Sequence, residues 1–237
     1  MKKYFWVALV LVVIFSAAFA FYYFVLRSQT SNRSAKVIEW IRHPEDHPEW
    51  AMQALQQCDD APFTFPTHGF VGYLWDDSFR PGHRHQGLDI FGGSEAGLTP
   101  VYAAADGYLT REVGWKSTVI IRISHDPLHP QNQIWTYYTH MADPNGKAFI
   151  VDDFPPGTAE MFVKAGTLLG YQGNYSGTNA APTGVHLHFS IVKDDGQGNY
   201  LNELEIENTL DPSQYFGMQV NAKNDPAPIP LCQPSLP

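Results

Sequence analysis

From Phe63 onward the chain is cut into short apolar stretches by Gly, Pro, Asn and Asp, and that punctuation limits it to an all-β design. Val119, Ile121 and Ile123 alternate with Ile120, Arg122 and Ser124, the pattern of a partly buried strand. Ile134 to Met141 is rich in aromatic and β-branched residues and predicts another. Val101-Tyr102-Ala103-Ala104 and Tyr108-Leu109-Thr110 flank Ala105-Asp106-Gly107, where the Asp-Gly step predicts a hairpin. Gly166, Gly170 and Gly173 mark tight turns around Thr167-Leu168-Leu169. Ahead of this region, Pro48 to Leu55 has Pro near its start and good helix formers after it, so a short helix is expected there. No internal repeat is present.

The N-terminus reads differently. Met1-Lys2-Lys3 precedes an uncharged run from Tyr4 to Leu26, which as a helix would be roughly 34 Å long, enough to cross a hydrocarbon core of about 30 Å. A cleaved signal peptide with Ala18-Phe19-Ala20 as its small-x-small site is the rival reading. The run continues through Phe21-Tyr22-Tyr23-Phe24-Val25-Leu26, longer than such a signal needs, which favours an uncleaved anchor. The flanking charges disagree on orientation, because Lys2 and Lys3 precede the run while Arg27, Arg33 and Lys36 follow it. Either version puts the remainder outside the cytoplasm. The expected organisation is a transmembrane anchor over 1–27 and a juxtamembrane linker with its short helix over 28–61. A β domain follows over 62–217, and a Pro-rich tail (Pro226, Pro228, Pro230, Pro234, Pro237) over 218–237. In an oxidising compartment Cys58 and Cys232 could form one disulfide between tail and domain entrance, or stay as two thiols. A formal charge of −9, with no basic stripe to neutralise phosphates, argues against nucleic acid as a partner.

Two short motifs carry chemistry. In His186-Leu187-His188-Phe189, a strand would point His186, His188 and Ser190 to one face and Leu187, Phe189 and Ile191 into a core. In His85-Gln86-Gly87-Leu88-Asp89, His85 and Asp89 would share a strand face roughly 13 Å apart, too far for one ion unless the backbone bends at Gly87. Imidazole, carboxylate and imidazole make a three-ligand zinc set with a fourth position for water, able to lower that water's pKa and polarise an amide carbonyl. If His188 binds metal, His186 and His140 remain to orient water, shuttle protons and stabilise an oxyanion. No HExxH is present, so a glutamate base of that type is excluded.

The order of these pieces resembles the catalytic domain of lysostaphin-like (LytM-type) zinc metallopeptidases. The matching text is Arg84-His85-Gln86-Gly87-Leu88-Asp89-Ile90, Thr99 to Gly107, Ile123-Ser124-His125, Tyr138-Thr139-His140-Met141, Val163 to Gly170 and Thr183 to Phe189. The resemblance covers about Pro62 to Val192. It implies a compact antiparallel β fold, one zinc held by His85, Asp89 and His188, catalytic roles for His140 and His186, and peptidoglycan peptide as substrate. The segment Asp126 to Gln133 is longer than the short turn usual there and is expected to alter a groove wall.

Three functions compete: an endopeptidase that cuts stem peptides or cross-links of peptidoglycan, a silent or partner-activated module that regulates another wall hydrolase, and a zinc protease acting on protein rather than wall. The intact set of five favours the first. His43, His47, His68, His83 and His129 read as surface residues, His125 as structural or groove-lining, and Tyr175 to Asn179 as a flexible loop beside the cleft.

Overall fold

Strands do form where hydrophobic alternation marks them. The computed structural model describes residues 2–77, 82–178, 182–224 and 229–232, with backbone alone for 2–10, 23–32 and 224. Helix α1 (Lys2–Arg42) is followed by strands β1 (Ala51–Met52), β2 (Gly69–Tyr73), β3 (Leu88–Phe91), β4 (Pro100–Tyr102), β5 (Gly107–Thr110) and β6 (Val119–Ile123). Then come β7 (Ile134–Thr139), β8 (Met161–Val163), β9 (Leu168–Tyr171), β10 (Leu187–Lys193), β11 (Thr209–Leu210) and the short helix α2 (Ser213–Phe216). A nine-stranded sheet runs β1-β2-β3-β10-β7-β6-β5-β8, with β11 also on β10, while β4 and β9 form a separate two-stranded ribbon. The paired strands are antiparallel, so the chain has the antiparallel, sheet-rich fold expected of it.

Leu88, Ile90, Leu109, Ile121, Tyr138, Leu187, Phe189 and Ile191 of the large sheet share one buried cluster with Val101 and Leu169 of the ribbon. Phe63, Phe65 and Phe216 complete it, and Phe189 meets Tyr138 and Phe216 edge-on at 5.2 Å each. Met218 and Val220, from the stretch read as the start of a tail, are buried in the same cluster. Pro226, Pro228, Pro234 and Pro237 lie outside the described residues.

Several expectations need correction. The Asp106-Gly107 hairpin does not form: β4 pairs with β9 and β5 with β6 and β8. Gly107 instead lies against β6, where an added Cβ would stand 2.5 Å from the Arg122 carbonyl oxygen. The helix expected from Pro48 is one 3-10 turn, Pro48–Trp50, because Ala51 and Met52 pair with β2. The expected polar linker is helical through Arg42: nothing between Arg27 and His43 is Gly or Pro, and Pro44 is the first residue that cannot continue the helix. Among the described residues, no helix is long and apolar enough to cross a membrane. The described side chains of the Tyr4–Leu26 run, 11–22, cover only about 18 Å of helix, and the rest of that run lies outside the described side chains.

Cys58 and Cys232 are joined as a disulfide across a separation of 174 residues. Closing so long a loop restricts the unfolded chain, and its removal is expected to cost about 2–5 kcal/mol. Urea unfolding of the Cys58→Ser/Cys232→Ser variant should show a lower midpoint and a steeper slope, because the freed unfolded chain exposes more surface; superimposable curves would mean the bridge contributes nothing.

Candidate metal centre and cleft

Strand register brings two of the chemical residues together. β3 and β10 pair Asp89 with His188, and on the other side β7 sets Thr139 opposite His188. Alternation then sends Leu187, Phe189 and Ile191 to the core and leaves His188 with Ser190 on the opposite face. His85 does not share a strand with Asp89, since β3 begins at Leu88 and the chain bends at Gly87. A Cβ on Gly87 would stand 2.2 Å from the Phe189 carbonyl oxygen, so the glycine is needed for close approach to β10. Beyond the bend, His85 is fastened to the turn after β2: Asp76 N–H donates to the His85 carbonyl at 2.7 Å, and His85 N–H to the Asp77 carbonyl at 2.8 Å.

The three donors converge. Asp89 Oδ1 lies 3.0 Å from His85 Nε2 and 2.8 Å from His188 Nδ1, and the two nitrogens are 3.1 Å apart. All three residues are buried. A backbone carbonyl only accepts, so His85 Nδ1 must carry the proton it gives to Leu74 O at 2.9 Å, which leaves a lone pair on Nε2. His188 Nε2 faces Glu203 Oε1 at 2.8 Å and donates there, leaving Nδ1 toward Asp89. Once His188 Nδ1 gives up its proton, the inner faces of these groups are acceptors packed together, a donor set that fits a divalent cation. Among the described residues the other group with suitable spacing, His43, Glu45 and Asp46, is exposed.

The charges agree with this arrangement. Burial alone would raise the Asp89 carboxyl, but the His85 and His186 imidazoles beside it hold it well below the usual carboxylate range. Burial would lower His188, yet Glu203 and Asp89 push it up to about 10. In the metal-free protein His188 thus holds one proton among the acceptors, where an ion would replace it.

His140 and His186 stand beside this centre. His140 follows β7 directly, with a left-handed backbone (φ 72°) that turns the chain away from the sheet. Its Nδ1–H donates to the Tyr175 carbonyl at 2.6 Å, so Nε2 is an acceptor. His186 Nδ1–H donates to Gly184 O at 2.7 Å, and its Nε2 lies 3.5 Å from Asp89 Oδ1. The two rings are 4.6 Å apart. Burial, then the neighbouring His186 and His188, lowers His140 to about 3, so it is neutral through the physiological range. Both histidines offer proton-accepting nitrogens; an oxyanion-stabilising N–H toward the cleft would require one of them to be protonated first.

All five residues line one cleft of about 560 Å³. Its walls come from 114–118, Tyr137, Tyr175 to Gly177, Thr183, Glu203 and Leu204. Tyr175 to Gly177 therefore flanks the cleft as expected, while Thr178 does not line it and Asn179 lies outside the described residues. His83, read as a surface residue, lines the cleft, its ring 6.4 Å from that of His85. His125 is exposed and does not line it. Nor does any residue of Asp126 to Gln133, so that longer segment alters no wall of this cleft; it borders a separate hollow with Lys193 and Asp194.

Sequence reasoning missed Glu203. Its side chain, 11% exposed, accepts from His188 Nε2 and from Ser190 Oγ at 3.2 Å. It stands in a polar loop with no motif around it, so only the distance across space reveals it. A carboxylate on the outer nitrogen of a ligand imidazole fixes its tautomer and raises its basicity, and loss of such a partner typically costs 10–100-fold in metal affinity. Glu203→Gln is expected to weaken zinc binding in that range in competition titrations with a chromophoric chelator. An unchanged affinity would make Glu203 a bystander.

Comparison with solved structures finds similar chains. Helicobacter pylori Csd3 matches with a TM-score of 0.41 and 20% identity over 65% of this chain and 34% of that one. The catalytic domain of the antimicrobial peptidase lysostaphin from Staphylococcus simulans matches with 0.40 and 18% over 70% and 99%. A variant of the prophage-encoded M23 protein EnpA from Enterococcus faecalis gives 0.35 and 20% over 63% and 94%. The chain spans about a third of the length of the Csd3 chains it matches. Among curated proteins no sequence match is found. The model of peptidase family M23 matches residues 83–202, about half of the sequence and the stretch that holds His85, Asp89, His140, His186 and His188. On that match the chain belongs to peptidase family M23.

Proposed function

We propose that the chain is a zinc-dependent endopeptidase that hydrolyses stem or cross-linking peptides of bacterial peptidoglycan. One observation carries this reading: three buried atoms of metal-ligand type, all within 3.1 Å of one another, face a cleft where two further imidazoles present acceptor nitrogens. His85, Asp89 and His188 would hold the zinc, which when bound polarises a scissile carbonyl and lowers the pKa of water. One of the pair His186 and His140 accepts the proton from the attacking water through Nε2, and that protonated imidazole then delivers it to the departing amine. The Gly184 and Tyr175 carbonyls keep each ring in the tautomer this role needs. Peptidoglycan as the substrate is supported by family membership and by the resemblance of the motifs.

The proposal extends to location. The enzyme works outside the cytoplasm, tethered through Tyr4–Leu26, a reading supported by that apolar run and by the Cys58–Cys232 bridge, which persists in oxidising compartments.

The test is incubation of the protein with sacculi of several wall types, followed by mass spectrometry of released muropeptides, with and without chelator. Cleaved stem or bridge peptides that disappear with chelator and return with zinc are expected. Intact sacculi from every wall type, despite one zinc per folded chain, would overturn the reading in favour of a regulatory module.

A further inference from the structure

The end of helix α1 reaches the back of the metal centre. Val37 and Trp40 are buried with Phe70 and Phe91 in a cluster of their own, separate from the main core. Trp40 Nε1–H donates to the Phe91 carbonyl at 2.6 Å, a buried contact. Ser34 Oγ meets the Tyr73 hydroxyl at 3.1 Å, and Arg33 pairs with Asp77 at 3.2 Å. Phe91 lies two residues beyond Asp89 on β3, hence on the same face. Its ring stacks on His186, with centroids 5.0 Å apart and planes 25° apart.

The contact is built from both sides. Gly72 on β2 has no side chain where one would collide: an added Cβ would stand 2.6 Å from the Phe91 ring and 2.7 Å from Val37 Cγ2. Beyond Phe91, Ile41 also reaches Gly184, whose carbonyl fixes the His186 tautomer; a Cβ there would meet Phe91 at 3.6 Å and Ile41 at 3.7 Å. The helix therefore backs both the ring stacked on His186 and the residue that accepts its Nδ1–H.

We propose that residues 33–42 form a positioning element for His186, acting through Trp40 and Phe91, so that the orientation of this imidazole depends on the helix being seated on β2 and β3. The inference rests on the peptidase reading only for its catalytic consequence. A purely structural packing contact would change stability and leave the His186 ring as it is. A positioning contact changes the ring, and a displacement near 1 Å can cost up to about 100-fold in rate.

Three variants of the full chain separate these cases. Phe91→Leu removes the stacked ring, Trp40→Phe removes the Nε1–H bond while keeping an aromatic wall, and Gly72→Ala wedges Phe91 from Val37. In the zinc-loaded proteins, the expected result is a His186 imidazole 15N pattern that moves away from a single Nδ1–H tautomer. With it should come a fall in kcat of about 10- to 100-fold, a KM within about threefold, a shifted pH–kcat profile and unchanged zinc affinity. Trp40→Phe keeps most of the buried surface and guards against simple unfolding. An unchanged His186 pattern in folded Phe91→Leu and Trp40→Phe would overturn the proposal, as would a zinc affinity that falls in step with kcat. If the parent protein cleaves no wall at all, the peptidase reading fails, and the imidazole spectra still decide whether the helix positions His186.

Discussion

Asp89→Asn is expected to abolish both bound zinc and wall hydrolysis. Asp89 supplies the one anionic donor of the group, set between two imidazole nitrogens at 3.0 and 2.8 Å. A carboxamide of the same shape can still offer an oxygen, but the charge that offsets a buried dication is gone. The loss should exceed the 10–100-fold seen when only an outer partner is removed. Zinc per chain after gel filtration, read by atomic absorption, should fall from one toward zero, and muropeptide release should stop. The same change has a sign in the metal-free protein. A carboxyl whose folded pKa is depressed stabilises the fold above its unfolded value, near 3.9, and that contribution is lost as pH falls through the folded value. Metal-free Asp89→Asn should therefore melt below the metal-free parent at pH 7, and the gap should close as pH falls below the unfolded carboxyl range and through the depressed folded value. One zinc per chain in the variant, with cleavage retained, would remove Asp89 from the site.

Part of the candidate site was legible in the sequence because Asp89 and His188 sit on strands with a known period. His186-Leu187-His188-Phe189 alternates between cleft and core, and the register of β10 against β3 carries that alternation into space. The same rule extends one step further than the motif: Asp89 and Phe91 share a face, a signal that would have pointed to Phe91 beside the candidate metal centre. What stayed hidden arises from contacts that local sequence does not encode. Glu203 reaches His188 from a loop fifteen residues away, and Tyr175 holds His140 through its backbone carbonyl, for which any residue type would serve. The Asp106-Gly107 hairpin failed for a related reason. Local turn chemistry favours it, yet Val101 finds Gly170 and Leu109 finds Ile121, and long-range pairing outweighs a turn preference. Helix α1 outran its expected end because polarity alone does not stop a helix; a Pro does.

His140→Ala is expected to lower kcat by about 10² to 10⁴, the usual worth of a positioned proton-transfer group, with zinc content and affinity unchanged. The geometry keeps the two effects apart: His140 is not among the three converging donors, and its Nδ1 is committed to Tyr175. Added imidazole should restore part of the rate to His140→Ala, since the variant leaves room for the missing ring. A folded, zinc-loaded His140→Ala protein with more than a tenth of the parent rate would take His140 out of the chemistry. Backbone strain offers an independent check. His140 sits at φ 72°, where a side chain costs roughly 1–2 kcal/mol and glycine does not. His140→Gly should therefore be as inactive as His140→Ala yet melt at a higher temperature. A fold that only needed a turn after β7 would be better served by glycine at this position. A histidine held there against that preference, its Nε2 able to accept while Nδ1–H is spent on a carbonyl, fits the proton-transfer role proposed for it.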